Sequence, residues 1–474
     1  MIRSPGERPR LAIAGASGFV GTALLPRLAE RFQVTALTRS PVRAAAPASI
    51  ANVRWRHCDL FRASEVASSL AGMDYAVYLV HSLAPSSRLT QASPRDMDLV
   101  LADNFARAAA ANGVRQILFV SGVMPQSFRF SPLPWSRREV EMVLASQGTP
   151  VTALRPSLIL GPGGTGPNLL IDLVRRLPVL LLPPSSASRT RPIALPDLVR
   201  AILHCLGRPD DFSGAFDIGG AEELSYEQML RQTSQALGLK RVILRVPLLP
   251  TPLVSLTARM ISGAPTQMVG AIVESLPQDT VMQDNPLQQA IEPEALTFSE
   301  ALKPCVDPLS RRPRPKPREQ LLRADRALMR KEARVRSIQR VLLPPGQDAA
   351  WVSGNYFRWL GSCCWPLIRS QVDSAGDVEV WLRLPRLKLL SLRWLAHQST
   401  ADRQVYAICG GALARAGSAH ARFEFQTLLD GRYTMTAIHE YAPALPWYLY
   451  IPTQALGHWL VMRRYQARLA RLAR

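Results

Sequence analysis

Lysine is scarce in this 474-residue chain. Five of its 57 basic residues are lysines (Lys240, Lys303, Lys316, Lys331 and Lys388), and none precedes Lys240. A proton relay built on a lysine ammonium is therefore excluded from the first 239 residues. Acidic side chains are also few: 36 Asp and Glu leave a net charge of +21. Such a surplus bears on anionic partners and solubility, not on fold. The six cysteines form no C-x-x-C pair and the seven histidines do not cluster beside them, which excludes a zinc site and predicts buried thiols in a reducing compartment. Met1–Arg10 has no apolar core of a secretory signal, so the protein is expected to be cytoplasmic. No stretch makes a good membrane-spanning helix. Ala444–Met462 lacks Asp, Glu, Lys and Arg but contains Pro446, Pro452, Gln454 and His458. It reads as a helix packed on its own domain, with an interfacial helix as the alternative.

The length suggests two or three domains at about 150 residues each, and 47% hydrophobic residues supply a sizeable core. Short apolar strands at Leu11–Ala14, Val34–Thr38, Val53–His57, Tyr75–Val80, Ile117–Ser121 and Val151–Leu154 alternate with helical spacing at Phe19–Arg31, Asp98–Ala111 and Arg137–Ser146. Repeated βα units predict an α/β fold with a doubly wound parallel sheet of Rossmann type. It occupies residues 1–310, with a substrate-side subdomain over about 157–305. RRPRPKPR at Arg311–Arg318 opens a basic, proline-rich linker. Leu321–Leu343 reads as a solvated basic helix, so the linker and helix span 311–346. No aromatic residues are interleaved there for base stacking, so no specific nucleic-acid partner is expected. Residues 347–474 hold strands near Val378–Leu384, Gln404–Cys409, Ala421–Leu428 and Tyr433–His439, then a helix over about Thr453–Arg474. This predicts a C-terminal α+β domain, an antiparallel sheet crossed by a long final helix.

The strongest motif is Gly15-Ala16-Ser17-Gly18-Phe19-Val20-Gly21, lying between the first strand and the first helix. Gly15 permits a tight turn, Gly18 lets the backbone approach a pyrophosphate, and Gly21 lets helix and strand pack closely. The helix N-terminus offers unsatisfied N–H groups to the phosphates. After strand two, Arg39 can pair with a 2′-phosphate and Ser40 can add a hydrogen bond; an NAD site would carry an acidic residue there. NADP is therefore expected as the cofactor, with NAD as the alternative. Asp59-Leu60 follows strand three, where Asp59 is placed to reach an adenine amino group, and Val80-His81 ends strand four.

These residues, together with Tyr78–Ser82, Asn104-Phe105-Ala106, Val120-Ser121-Gly122, Leu154-Arg155-Pro156, Arg191-Pro192-Ile193 and Phe216–Gly220, resemble the short-chain dehydrogenase/reductase superfamily. The similarity is greatest to its atypical NmrA-like branch, related to the Rossmann-fold accessory subunit of respiratory complex I, and covers about residues 10–305. It implies a cofactor site formed by Gly15, Ser17, Gly18, Phe19, Val20, Gly21, Arg39, Ser40, Asp59, Leu60, Val80, His81, Ser121 and Pro156. Reductases of this superfamily usually use Tyr-x-x-x-Lys, the lysine lowering the tyrosine pKa. Here Leu133 stands at the tyrosine position and Arg137 at the lysine position. Leu133 transfers no proton and Arg137 is a poor acid or base. Ser121 and His81 are the remaining catalytic candidates, with Arg137 as a ribose or phosphate holder. Arg189 and Arg191 are candidates either for an anionic substrate or for a solvated loop.

Residues 347–474 resemble the helix-grip domains of the START/polyketide-cyclase group, on the strand Arg432–Ala437 and the stretch Pro446–Arg464. The resemblance implies a lipophilic ligand, with Trp381, Trp394, Trp447, Tyr448 and Trp459 either lining its cavity or serving as ordinary core. The sequence as a whole predicts an NADP-dependent oxidoreductase on a lipophilic or quinone-like molecule. The alternative is a non-catalytic NADP-binding redox sensor or assembly factor for a membrane or respiratory complex. Peripheral membrane contact is expected through the basic linker or the C-terminal helix.

Overall fold

The computed structural model describes residues 7–47, 49–81, 90–124, 132–247, 249–261, 269, 273, 279–280, 282–314, 335–364, 366–415 and 420–473. The chain divides into two units, 1–83 with 104–322 and 84–103 with 323–474.

The first unit is built on seven strands: β1 (Arg10–Ala14), β2 (Gln33–Thr38), β3 (Val53–His57), β4 (Tyr75–Tyr78), β5 (Gln116–Val120), β6 (Val151–Pro156) and β7 (Gly214–Ile218). They pair in the order β7-β6-β5-β4-β1-β2-β3, all parallel. Parallel strands are covered on both faces, which is why Leu11, Ala12, Ile13 and Ala14 form an unbroken buried run and not an alternating one. Helix α1 (Phe19–Ala29) buries Leu24, Leu25 and Leu28. These share one core with Leu198 and Ile202 of a later helix, Leu195–Cys205. The order of strands reverses between β1 and β4, and a doubly wound sheet binds its ligand at the carboxyl ends of the strands beside such a reversal. The sequence-predicted parallel α/β sheet is thus the observed one.

The longer helices of this unit besides α1 are α2 (Ala63–Leu70), α3 (Pro94–Ala111), which crosses the boundary between the units, α4 (Pro132–Ala145), α5 (Thr165–Arg176), α6 (Leu195–Cys205), α7 (Tyr226–Ala236) and α8 (Thr251–Ile261). Beyond β6, a second apolar cluster gathers Leu170, Ile171 and Val174 of α5 with Met229 and Leu230 of α7, Leu180, Leu182 and Phe298. A two-stranded parallel ribbon pairs Val179–Leu182 with Val242–Arg245. Burial pushes the thiols of Cys58, Cys205 and Cys305 up to about 12, so these cysteines are inert at neutral pH.

The second unit is an eight-stranded sheet. Its long strands are β8 (Val335–Leu342), β9 (Ile368–Val372), β10 (Val378–Leu382), β11 (Leu387–Trp394), β12 (Arg403–Gly410), β13 (Arg422–Leu428) and β14 (Tyr433–Tyr441). The order is β9-β10-β11-β12-β13-β14-β8, antiparallel throughout, and a short strand at Thr90–Gln91 pairs in parallel with the far edge of β8. Arg340 Nε donates to Asp96 Oδ1 at 2.8 Å within the same unit. Helices α9 (Ala349–Cys363) and α10 (Leu456–Leu472) share a core with this sheet: Tyr356, Phe357, Phe423, Phe425, Met462 and Tyr465 all belong to one buried cluster. Tyr356 and Phe357 meet Phe423, Phe425 and Tyr465 with centroids 5.1–6.1 Å apart.

Several expectations change here. The helix expected over Leu321–Leu343 is a strand at Val335–Leu342, where Val335, Ser337, Ile338 and Val341 are buried and the whole strand is bonded to β14. The rest of that segment, 315–334, lies outside the described residues. Of the aromatic residues expected either to line a cavity or to serve as ordinary core, Trp394 packs against this core. Trp459 and Tyr448 are exposed, Trp381 and Trp394 are half-buried with their indole N–H groups on Glu379 and Gln404, and the side chain of Trp447 lies outside the described residues. The long C-terminal helix is observed, starting at Leu456 after a π-turn over Ile451–Ala455. Among the described residues no helix is long and apolar enough to cross a membrane.

Candidate functional site

The chain leaves β1 at Ala14 and turns on Gly15, whose φ of +87° puts it in the left-handed region. An added Cβ there would stand 2.9 Å from the Leu79 carbonyl carbon and oxygen. The Gly18 N–H closes the turn on the Gly15 carbonyl at 2.9 Å, and α1 begins at Phe19. Gly18 caps this helix without a side chain and the first turn contains no acidic residue, so the N-terminal N–H groups remain available to an anion. A Cβ on Gly18 would meet only the Gly15 carbonyl oxygen, at 3.1 Å, which leaves a cradle open for a pyrophosphate. Gly21 lets the first helix approach the end of β1 closely. Its Cβ would lie 2.5 Å from the Gly15 oxygen and 2.6 Å from the Ala16 oxygen, so this glycine makes room for the turn itself.

The turn forms one end of a cavity of about 840 Å³. Leu79 and His81 enter it from the end of β4, Val120, Ser121 and Gly122 from the end of β5, Arg137 from α4, and Pro156 and Ser157 from the end of β6. Half-buried Val80 lies between two of these lining residues, and His81 is exposed at the rim. Phe19 and Val20 also face the cavity, whereas Ser17 is exposed and does not line it. Most of the remaining wall is aliphatic, with Leu158, Leu169, Leu170, Leu173 and Leu177, then Leu180–Leu182, Leu230, Leu249 and Leu253. Tyr226 and Thr190 also reach it.

Arg137 is buried. It donates to the Val120 carbonyl at 2.5 Å and lies over the Phe119 ring with its guanidinium 4.6 Å from the centroid. This holds a fixed positive charge at the carboxyl end of β5. Ser121 stands beside Glu141 of α4. Burial alone would raise the Glu141 pKa, but Arg155, which donates to both carboxylate oxygens at 2.9 and 2.6 Å, the Ser121 hydroxyl and Arg138 together hold it below the usual carboxylate range. Burial raises the Asp217 pKa against the opposing Gln283 N–H and Arg155. Glu141 and Arg155 are thus a buried ion pair directly behind the cavity serine, a feature the sequence reading did not single out. No spacing rule marks it, because the two residues are brought together only when α4 packs on β6.

The other expected cofactor residues follow β2, the neighbour of β1, and β3, the edge strand beyond it, outside the cavity. Arg39 is exposed at the end of β2. Ser40 is buried and its hydroxyl accepts the Arg43 N–H, capping the short helix Pro41–Ala45. Arg43 stacks on Trp55 at 4.9 Å. The Asp59 carboxylate accepts the Phe61 N–H at 3.2 Å and the Leu60 carbonyl accepts from Asn104 at 3.0 Å, so both residues brace the loop after β3. Arg191 is tied to the Gly220 carbonyl and to Glu292, and Arg189 is exposed beside Glu223. Neither lines the cavity, which favours the loop role over an anion site. Ser82 and the side chain of Leu133 lie outside the described residues. The leucine wall was not anticipated; its one sequence signal is the run Val179–Leu182 after the apolar face of α5.

Residues 15–171 match a family described as NAD(P)H-binding. The auxiliary protein GraX of Staphylococcus aureus is 29% identical over 146 residues, covering 30% of this chain and 43% of its own length. The chain therefore spans under half of that relative. A nucleoside-diphosphate-sugar epimerase from S. aureus shares the fold at a TM-score of 0.50 and 16% identity, over 62% of this chain and 99% of that one. An NADPH-dependent quinone oxidoreductase from Escherichia coli gives a TM-score of 0.49 at 17% identity, over 62% and 98% of the two chains. The glycine turn, the uncapped helix and strands β2 to β6 lie within the residues that match this NAD(P)H-binding family.

Proposed function

We propose that the protein is an NADP(H)-dependent oxidoreductase acting on a lipophilic, quinone-like molecule. The observation that carries this reading is the continuity of the cavity: one end is the glycine turn, and most of the remaining wall is leucine and valine. Binding pockets place a few polar groups against a largely apolar wall, and here His81, Ser121, Arg137 and Ser157 line the same cavity as the glycine turn. The bound nicotinamide would supply a hydride. Arg137, fixed by Val120 and Phe119, stabilises negative charge growing on the substrate oxygen without transferring a proton. His81 at the rim passes a proton from water. A quinone needs one hydride and one proton, and its reduced oxyanion is stable enough to take that proton from solvent. It thus suits a site without the tyrosine–lysine relay better than a simple ketone does.

Leu173→Asn tests the wall. Its kcat/KM for NADPH oxidation is expected to fall about tenfold with a long-tailed quinone and to change little with a tail-less one, since each buried methylene is worth about 0.8 kcal/mol. An equal loss for both would remove the leucine wall from substrate binding.

NADP is favoured over NAD by Arg39, with Arg43 close by in sequence. Arg39→Ala is expected to weaken NADPH binding about tenfold and NADH binding less than about twofold, read by calorimetric titration. Equal losses would exclude a 2′-phosphate contact. For the second unit we propose a helix-grip type of module, supported by its antiparallel sheet with α10 in the same core. If NADPH binds and no quinone or carbonyl is reduced, the sensor or assembly-factor reading replaces the enzyme.

A further inference from the structure

Parallel strands are normally covered on both faces. The ribbon of Val179–Leu182 and Val242–Arg245 is not. Leu180 and Leu182 point into the core, while Val179, Leu181, Val242 and Leu244 are 43–52% exposed. Helix α8 repeats the pattern. Val254 and Ala258 pack inward against Leu169 and Val273, while Leu256 and Met260 on the opposite side are 54% and 77% exposed. These surfaces join the cavity directly, because Val179, Leu181 and Leu253 are both exposed and part of its lining. An apolar surface of this kind marks a contact site. The surrounding charge is predominantly positive, with Asp172 paired to Arg175 and Arg176, and Glu227 paired to Arg245, at its border. Residues 173–183 and 237–261 contain Arg175, Arg176, Lys240, Arg241, Arg245 and Arg259 and no Asp or Glu.

We propose that this face docks on an anionic lipid bilayer and is the mouth through which a membrane-dissolved substrate reaches the leucine-walled cavity. The exposed leucines and Met260 enter the acyl boundary, and the arginines and Lys240 meet lipid phosphates. The identity of the cargo rests on the oxidoreductase reading; the docking itself does not.

The test is flotation of the full chain with vesicles of phosphatidylcholine and phosphatidylglycerol in about equal parts, compared with phosphatidylcholine alone. The wild-type chain is expected to float with the anionic vesicles in a salt-sensitive way and much less with the neutral ones. Leu256→Glu with Met260→Glu is expected to lower that binding about tenfold. In parallel, it should slow NADPH oxidation by a long-tailed quinone held in the vesicles, leaving the rate with a soluble tail-less quinone unchanged. Leu244→Glu, on the ribbon, provides an independent variant, and thermal melts establish that each is folded. Two results overturn the proposal: variants that float like the wild type, or a wild-type chain that binds neither vesicle but dissociates from dimer to monomer when Leu256 and Met260 are replaced, which would make the face a contact between copies. Vesicle binding lost in the variants, with no quinone reduced by any form, supports the docking surface and removes the oxidoreductase reading alone.

Discussion

Gly21→Ala is expected to weaken NADPH binding by about a hundredfold. The new methyl would stand 2.5 Å from the Gly15 carbonyl oxygen and 2.6 Å from that of Ala16, both backbone atoms of the turn that presents the pyrophosphate site. Neither can move without opening the Gly18-to-Gly15 hydrogen bond, and Gly15 is itself fixed against Leu79. Overpacking of this severity costs about 3 kcal/mol, which is roughly a hundredfold in Kd when it falls on the bound conformation. Gly457→Ala is the control. Nothing lies within 4 Å of its added Cβ in α10, so NADPH binding should be unchanged and helix stability slightly raised. Titration of NADPH into the two variants checks this. Retained affinity in Gly21→Ala would mean that the turn does not hold the phosphates.

Glu141→Ala should be the most destabilising single change behind the site. Glu141 is 4% exposed and accepts hydrogen bonds from Arg155 and Arg138. Removing it leaves the guanidinium of Arg155, which is 16% exposed, beside Asp217 alone. Breaking a buried pair from one side costs about 3–5 kcal/mol, whereas replacing both partners with apolar residues is often neutral. Glu141→Leu combined with Arg155→Met should therefore recover much of the loss, and urea denaturation of the single and double variants measures it. The pH dependence follows from the sign of the shift. The folded pKa of Glu141 is lowered, so the unfolded chain binds its proton at the higher pH. The pair's contribution is then fully present above the unfolded value of 4.5 and is lost as pH falls through the lower folded value. The urea midpoint of the wild type should fall more steeply than that of the double variant in this acid range. Parallel curves would show that Glu141 is not held ionised by Arg155.

The glycine turn was legible because its signal is local: an apolar strand, glycines at fixed spacing and a helix. The central strands β1, β4 and β5 are each marked by a buried run, whereas β7, Gly214–Ile218, is only partly buried and was not read as a strand. The missing tyrosine–lysine relay could be read from composition alone. What escaped was long-range. The sequence of residues 84–103 carries no feature that assigns them to the second unit; the pairing of Thr90–Gln91 with Arg336–Ser337 and the Arg340–Asp96 ion pair do so. Val335–Leu342 was read as helix because its arginines continue the preceding basic pattern, while the burial that makes it a strand comes from β14. The leucines of α5 have the spacing of an ordinary buried helix face, and the same pattern serves for core and for cavity wall. Arg189 and Arg191 were equally ambiguous, since an arginine that binds an anion and one that braces a loop look alike until Gly220, Glu223 and Glu292 are placed beside them.

The most direct test of the central claim is the rate of NADPH oxidation by purified protein against a series of quinones that share one head group and differ only in alkyl tail length. A cavity continuous from the glycine turn into the leucine wall predicts that kcat/KM rises severalfold with each early methylene and levels off when the wall is filled. A rate independent of tail length, or no oxidation with any member while NADPH binds, would contradict it.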